Sequence, residues 1–305
     1  MRLRTRARQI GDIFDKRSHW VMLMAYLLLF FAFILLPILL AVGLSFTNFN
    51  SISIDSFEGL GNYIRAFTQD TVFMQKILPN TILYALIVGP GGYILSFFVA
   101  WILSQLTKTA RTILAVVLYI PSLIAGVTVS TIWAAIFNGD RTGYLNDALI
   151  QMGLINEPVA WLQSSDYLMP IMIFVALWSS MGIGFLSMLS GILNVDREQY
   201  EAGLIDGISN RAQEVIYITI PNTKSQMLFG AVMAVVNTFN TTGLGVALSG
   251  SNPTPQYAGS LIVNHIDDIG FIRYEMGYAA ALSVLLLVIV WIFNKLAYKL
   301  FGSSE

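Results

Sequence analysis

Six stretches of this 305-residue chain hold no Asp, Glu, Lys or Arg at all: residues 20–54, 77–107, 112–139, 167–195, 225–266 and 276–294. Each is about as long as, or longer than, the roughly 20 apolar residues an α-helix needs to cross the hydrocarbon core. A charge at mid-bilayer costs at least about 2.5–3.5 kcal/mol, so membrane helices shed charge in this way, and helices of a soluble protein need not. Charged residues amount to 11% of the chain, against about 25% in soluble domains. The pattern predicts an all-α integral membrane protein with six transmembrane helices, over residues 21–46, 81–106, 112–137, 167–193, 227–248 and 276–293.

Orientation follows from Lys and Arg, which accumulate on the cytoplasmic side. With the N-terminus inside, the inner face holds Arg2, Arg4, Arg6, Arg8, Lys16, Arg17, Lys108, Arg111, Arg197, Arg211, Lys224, Lys295 and Lys299, and the outer face only Arg65, Lys76, Arg141 and Arg273. Both termini are then expected in the cytoplasm. The expected organisation is a basic N-terminus (1–20), one membrane domain (21–300) with a cytoplasmic loop at 196–224, and a short tail (301–305). The first apolar run is too long for a signal peptide and five more follow, so it reads as an uncleaved helix. The Arg cluster is a topology signal; a nucleic-acid role is not expected. With no cysteine, disulfides, thiolate metal sites and cysteine nucleophiles are excluded.

Between the fourth and fifth runs lies a polar island. Residues 196–224 carry Asp196, Arg197, Glu198, Glu201, Asp206, Arg211, Glu214 and Lys224. Asp196 and Gln199 have the spacing of a capping box. A helix from Arg197 to Asp206 would carry Glu198 and Glu201 towards its favourable N-terminal end and stop at Gly207. A second helix is expected from about Ser209, with Ala212, Val215 and Ile216 on one side, before Pro221 redirects the chain.

Glu201-Ala202-Gly203, three residues, Gly207, then Ile218-Thr219-Ile220-Pro221 resembles the "EAA" loop of bacterial ABC importer permeases. That pattern reads Glu-Ala-Ala, three residues, Gly, nine residues, Ile-x-Leu-Pro. Here Gly203 replaces Ala, the spacer is ten residues, and Ile220 replaces Leu. Gly59-Leu60-Gly61-Asn62-Tyr63, Ile120-Pro121 and Gly277-Tyr278-Ala279-Ala280-Ala281 are similar to motifs of the carbohydrate-uptake branch, related to the maltose and glycerol-phosphate systems. The resemblance implies a type I importer permease in the bacterial cytoplasmic (inner) membrane, carrying a sugar or oligosaccharide. It also implies a second permease subunit, two ATPase subunits that bind ATP and Mg, and an extracytoplasmic solute-binding protein. Glu201, Ala202, Gly203, Asp206, Gly207 and Pro221 would belong to the helix that docks on the ATPase, with Glu201 meeting a basic residue there.

A sugar path needs amides, hydroxyls and flat apolar rings. Asn237, Asn240 and Thr241 share one helix face at i, i+3 and i+4, and the resemblance places sugar contacts near Asn240 and Thr241. Interhelical hydrogen bonding, worth on the order of 0.6 kcal/mol per contact, accounts for the same residues equally well. Tyr278, Ser283 and Trp178 are weaker candidates, with interface anchoring and helix packing as the alternative roles. His265, beside Asp267 and Asp268, reads as part of a solvated outer loop in preference to a metal site. Gly89-Pro90-Gly91-Gly92 within the second run predicts a kink or a close helix contact.

Other classes fit less well. Protease and lipase motifs are absent, and no Asp, Glu, His or Lys sits in the six spans to carry proton coupling. Sodium coupling through backbone carbonyls, and import of a non-sugar solute such as glycerol phosphate, stay open. The chain has no Gly-x-x-x-x-Gly-Lys-Ser/Thr phosphate loop, so it is not expected to be an enzyme, and ATP hydrolysis would fall to a partner.

Overall fold

A computed structural model describes residues 20, 23–124, 126–240 and 243–301. The basic segment 1–19, the tail 302–305 and Thr241 lie outside these residues. The described chain is mostly helical and groups into two compact units. One comprises residues up to Ile64 together with Ile269–Val284; the other comprises Arg65–Asp268 and the residues from Leu285 onward.

In the first unit, α1 (Leu23–Leu44) has 22 residues, none buried in its most apolar window. At 1.5 Å per residue it is about 33 Å long, enough to cross the hydrocarbon core. A small antiparallel hairpin follows, β1 (Thr47–Phe49) with β2 (Ile54–Phe57), pairing Thr47 with Phe57 and Phe49 with Ile54. Helix α2 (Gly61–Thr68) begins directly after it. Asn62 Nδ2 donates to Ser45 O and Thr47 O, both at 2.9 Å, and the Tyr63 and Ser45 hydroxyls are 2.7 Å apart. Gly277 packs against the same turn so closely that a Cβ there would run into Thr47 O and Phe49 N. Two motifs far apart in sequence, at 59–63 and 277–281, thus converge on Ser45–Phe49.

The second unit contains α3 (Phe73–Ser104), α4 (Lys108–Leu123), α5 (Gly126–Ile136), α6 (Tyr144–Gln151), α7 (Leu168–Trp178), α8 (Ile183–Leu193), α9 (Arg197–Ile205), α10 (Arg211–Glu214, continued through Asn222), α11 (Lys224–Asn240), α12 (Leu244–Ser249) and α13 (Ile262–Asp267). Helix α14 (Met276–Phe301) contributes to both units. Helices α3, α8 and α11 pack against one another. Small residues allow this: a Cβ on Gly92 would lie 2.9 Å from Ser180 Cβ, and one on Gly184 would lie 3.2 Å from Gly230 Cα. The expectation of a close helix contact at Gly91-Gly92 holds. Below these crossings lies a core of Phe185, Met188, Leu189 and Ile192 against Ala100 and Leu103.

Several predicted spans are built differently. The second begins at Phe73 rather than near residue 81, as the first turns of α3, a continuous 32-residue helix. The third is two helices, α4 and α5, meeting at 98°. Pro121 cannot donate to the carbonyl four residues back, and Ile124 turns extended (φ −74°, ψ 132°). The fourth is α7 and α8 at 43°, separated by Ser179-Ser180-Met181-Gly182. In the fifth, α12 starts from Gly243 in the left-handed region (φ +76°). Among the described residues, three helices are long and apolar enough to span a membrane, or up to five if each bent pair counts as one span.

Three π-turns share one cause. Each ends two residues before a proline: Phe31–Leu35 before Pro37, Phe73–Ile77 before Pro79, and Val215–Thr219 before Pro221. A proline ring clashes with the carbonyl four residues earlier. Widening the preceding turn, with N–H to O bonds of Leu36 to Phe31, Leu78 to Phe73 and Ile220 to Val215, makes room for it.

Candidate functional site

Two features of the second unit can carry function, a cavity and a polar helical hairpin. The cavity has a volume of about 710 Å³, within the roughly 300–1,000 Å³ usual for small-molecule sites. All three helix breaks open onto it: Ile124 and Gly126 at the first, Ser179, Ser180 and Gly182 at the second, Gly243 and Leu244 at the third. Non-helical backbone at membrane depth is tolerated where it lines a cavity, so the breaks and the cavity explain each other.

The described lining contains no charged side chain. Its polar groups are hydroxyls and an amide. Ser122 Oγ donates to Tyr119 O (2.8 Å), Ser180 Oγ to Leu177 O (2.7 Å) and Thr238 Oγ1 to Ala234 O (2.8 Å). With each proton committed to the backbone, the oxygen lone pairs remain as acceptors. Among the described residues Ser179 Oγ has no hydrogen-bond partner. Around Gly182, Ser122 Cβ (3.7 Å), Ser122 Oγ (3.8 Å) and Asn237 Nδ2 (3.8 Å) surround the place where a side chain would begin. Tyr119, Leu123, Val129, Val175 and Met233 supply apolar surface around them.

Of the sequence candidates, Asn237 lines the cavity. Asn240 ends α11, and the placement of its side chain, like that of Thr241, lies outside the described residues. Trp178 is half-buried and stands edge-on to Trp133 (5.3 Å, 84°), packed on the hydrophobic core instead of the cavity. Tyr278 is buried, and Ser283 Oγ donates to Ala279 O (2.9 Å) within its own helix; both belong to the first unit and neither is among the lining residues. Ser122, Ser179, Ser180 and Thr238 were not singled out by sequence. The signal available was the run Ser179-Ser180-Met181-Gly182 inside an apolar span, and Ser122 beside Pro121.

The hairpin is α9, a turn and α10. Gly207 (φ +94°) makes the turn in the left-handed region, where a side chain would be strained. The expected capping box at Asp196 does not form: Asp196 makes no side-chain cap bond, and Gln199 Oε1 instead accepts from Asn222 Nδ2. The next helix is capped instead: its N-cap Asn210 accepts from Gln213 N through Oδ1 (2.8 Å), and Gln213 Oε1 accepts from Ser209 N (2.9 Å), the residue before the cap. Gln199–Asn222, the hydroxyls of Tyr200 and Thr219 at 3.0 Å, and Gly203 against Ile218 brace the two helices. The ten-residue spacer is accommodated within a helix, since the π-turn Val215–Thr219 takes one residue more than an α-turn. Pro221 sits inside this run; the chain leaves helical geometry at Thr223. Glu201, Ala202 and Asp206 are exposed, and Leu204 (61%), Ile205 (88%) and Tyr217 (67%) present apolar surface outward.

His265 does not lie in a solvated loop. It is buried in α13 and bonded to Asp70, and among the described residues no group of three or more His, Asp or Glu could hold a metal ion.

Residues 92–301 match the family described as "Binding-protein-dependent transport system inner membrane component". The arabinooligosaccharides transport system permease protein AraP of Bacillus subtilis (strain 168) is 30% identical, over 98% of this chain and 94% of that one. The diacetylchitobiose uptake system permease protein NgcF of Streptomyces coelicolor is 26% identical, over 92% of this chain and 81% of its own length. A chain of the crystal structure of a bacterial ABC transporter that imports the acidic polysaccharide alginate has the same fold. It superposes with a TM-score of 0.76 at 23% identity, covering 96% of this chain and 99% of that one.

Proposed function

Because this chain belongs to the family of binding-protein-dependent transport system inner membrane components, we propose that it is the permease subunit of an ATP-driven importer for an uncharged sugar or oligosaccharide. The observation that carries the reading is the cavity: hydroxyls, one amide and apolar walls meet at three helix breaks, with no described charge. A polyhydroxylated solute exchanges hydrogen bonds with such groups, and its apolar ring faces lie on Tyr119 and the aliphatic wall. The names of the relatives, arabinooligosaccharide and diacetylchitobiose permeases, point to the same solute class.

In this reading the chain crosses the inner membrane six times with both termini in the cytoplasm, and pairs with a second permease to enclose the path. A solute-binding protein delivers from outside, and two ATPase subunits bind ATP and Mg below. The hairpin is the coupling element. Glu201 meets a basic residue of the ATPase, exposed Leu204 and Ile205 enter its groove, and Ala202, Gly203, Asp206, Gly207 and Pro221 shape the surface. Cross-bracing within the hairpin makes it stiff enough to pass the closure of the ATPase pair on to α8 and α11.

The test is ATP hydrolysis and solute uptake by the complete assembly in lipid, with its binding protein and a saccharide panel. One saccharide should stimulate hydrolysis, and Glu201→Lys should abolish the stimulation. Gly182→Leu, where a Cβ would meet nothing closer than 3.7 Å, should fill the cavity and block uptake while the assembly still forms. No stimulation by any saccharide, or uptake unchanged by Gly182→Leu, would overturn the assignment.

A further inference from the structure

Helix α2 has its polarity the wrong way round for a helix in water. Asn62 is buried (7% exposed), whereas Leu60 (62%), Ile64 (57%) and Phe67 (50%) are exposed. These three fall at i, i+4 and i+7, one ridge of a helix. Between Gly61 and Thr68 there is no acidic residue, and the only charge is Arg65, whose long stem can lie along apolar surface while its head reaches water.

The height of this ridge is fixed. Asn62 Nδ2 holds at 2.9 Å both Ser45 O, the C-cap of α1, and Thr47 O, the first residue of β1. The 22 residues of α1 fill the hydrocarbon core, so Ser45 stands where the chain leaves it. The start of α2 is tied to that level, and Phe57 (78%) in the adjoining strand is exposed beside it. A helix with an apolar ridge, no acid, one Arg and neighbouring aromatics is matched to the boundary between headgroups and acyl chains.

We infer that α2 is an interfacial helix lying in the outer leaflet, with Leu60, Ile64 and Phe67 inserted among the lipids and Asn62 anchoring it to the end of α1. It holds the Ser45–Phe49 turn, on which Gly277 also seats, at a set depth in the bilayer. The inference rests on the topology proposed above, with the Leu44 end of α1 outside.

The natural absence of cysteine allows a clean test. Ile64→Cys, Phe67→Cys and Gln69→Cys are introduced singly into the full chain, assembled with its partner subunits in phosphatidylethanolamine–phosphatidylglycerol vesicles, and spin-labelled. The ratio of collisions with oxygen to collisions with a water-soluble nickel chelate should be several-fold higher at 64 and 67 than at 69. Chelate-dominated collisions at 64 and 67 would place the ridge in water, and few collisions with either reagent would mean that a protein partner covers it; each overturns the inference. Labelling of Gln69→Cys in intact cells by a membrane-impermeant maleimide reports the topology separately, so failure of the topology is distinguishable from failure of the lipid contact.

Discussion

His265 Nε2 lies 2.8 Å from Asp70 Oδ2, joining residues 195 positions apart. The same carboxylate accepts the Phe73 N–H through Oδ1 at 2.8 Å, capping the first turn of α3, and the Phe73 ring stacks on the imidazole (6.1 Å, 20°). One side chain therefore ends a long helix and pins α13 to it. Ile262 N donating to Thr81 Oγ1 (2.9 Å) adds a second tie between the same helices.

Asp70→Ala should lower stability by about 2–3 kcal/mol, adding a lost cap to a buried His265 donor left without its acceptor. Asp70→Asn keeps an acceptor for Phe73 N–H and should lose clearly less. Thermal unfolding of the two variants in lipid nanodiscs orders them; equal losses would mean that the cap contributes little.

Gly203 faces Ile218 Cδ1 at 2.7 Å and Ile208 Cδ1 at 3.1 Å, measured from where a Cβ would sit. Both are far ends of flexible side chains. Gly203→Ala should fold with little change, whereas Gly203→Phe should splay the hairpin, costing about 1–3 kcal/mol. Binding of the ATPase subunits, followed by co-purification, should fall with Phe and persist with Ala.

Gly92 meets Ser180 differently, because the contacting atom is a Cβ at 2.9 Å and cannot swing aside. Gly92→Ala should force α3 from the break between α7 and α8, costing about 1–3 kcal/mol and reducing uptake. Adding Ser180→Gly removes the colliding atom and should restore much of the stability. A double-mutant cycle on thermal midpoints measures that recovery.

Burial raises the Asp267 carboxyl above its usual range. A raised folded-state value in an acid means that the folded chain holds the proton more tightly than the unfolded one. Stability on this account is greatest below the unfolded value and is lost as pH rises through the folded one. Asp267→Asn should therefore be more stable than the natural chain at neutral pH, with the difference vanishing on acidification. Thermal midpoints across a pH series check the sign.

The membrane-spanning apolar runs and the polar hairpin were readable from sequence, because both are dictated locally. Charge in hydrocarbon is so costly that a span must be empty of it, and Gly207, with its positive φ, turns the hairpin where the sequence placed the turn, whereas the cap expected at Asp196 does not form. α1, α3 and α14 follow that logic directly. What sequence order could not supply were the places where distant residues meet. Asn237 was readable as a polar face of a helix, but its approach to Ser122 and Gly182 comes from the packing of three separate segments. Trp178 looked like a ring for a sugar until Trp133 and the core claimed it, and His265 looked solvated until Asp70 was found beside it. Periodicity and charge fix which segments can enter a membrane, since those costs belong to each residue alone. Cavities and buried polar pairs depend on which residues are brought together, and only the tertiary packing decides that.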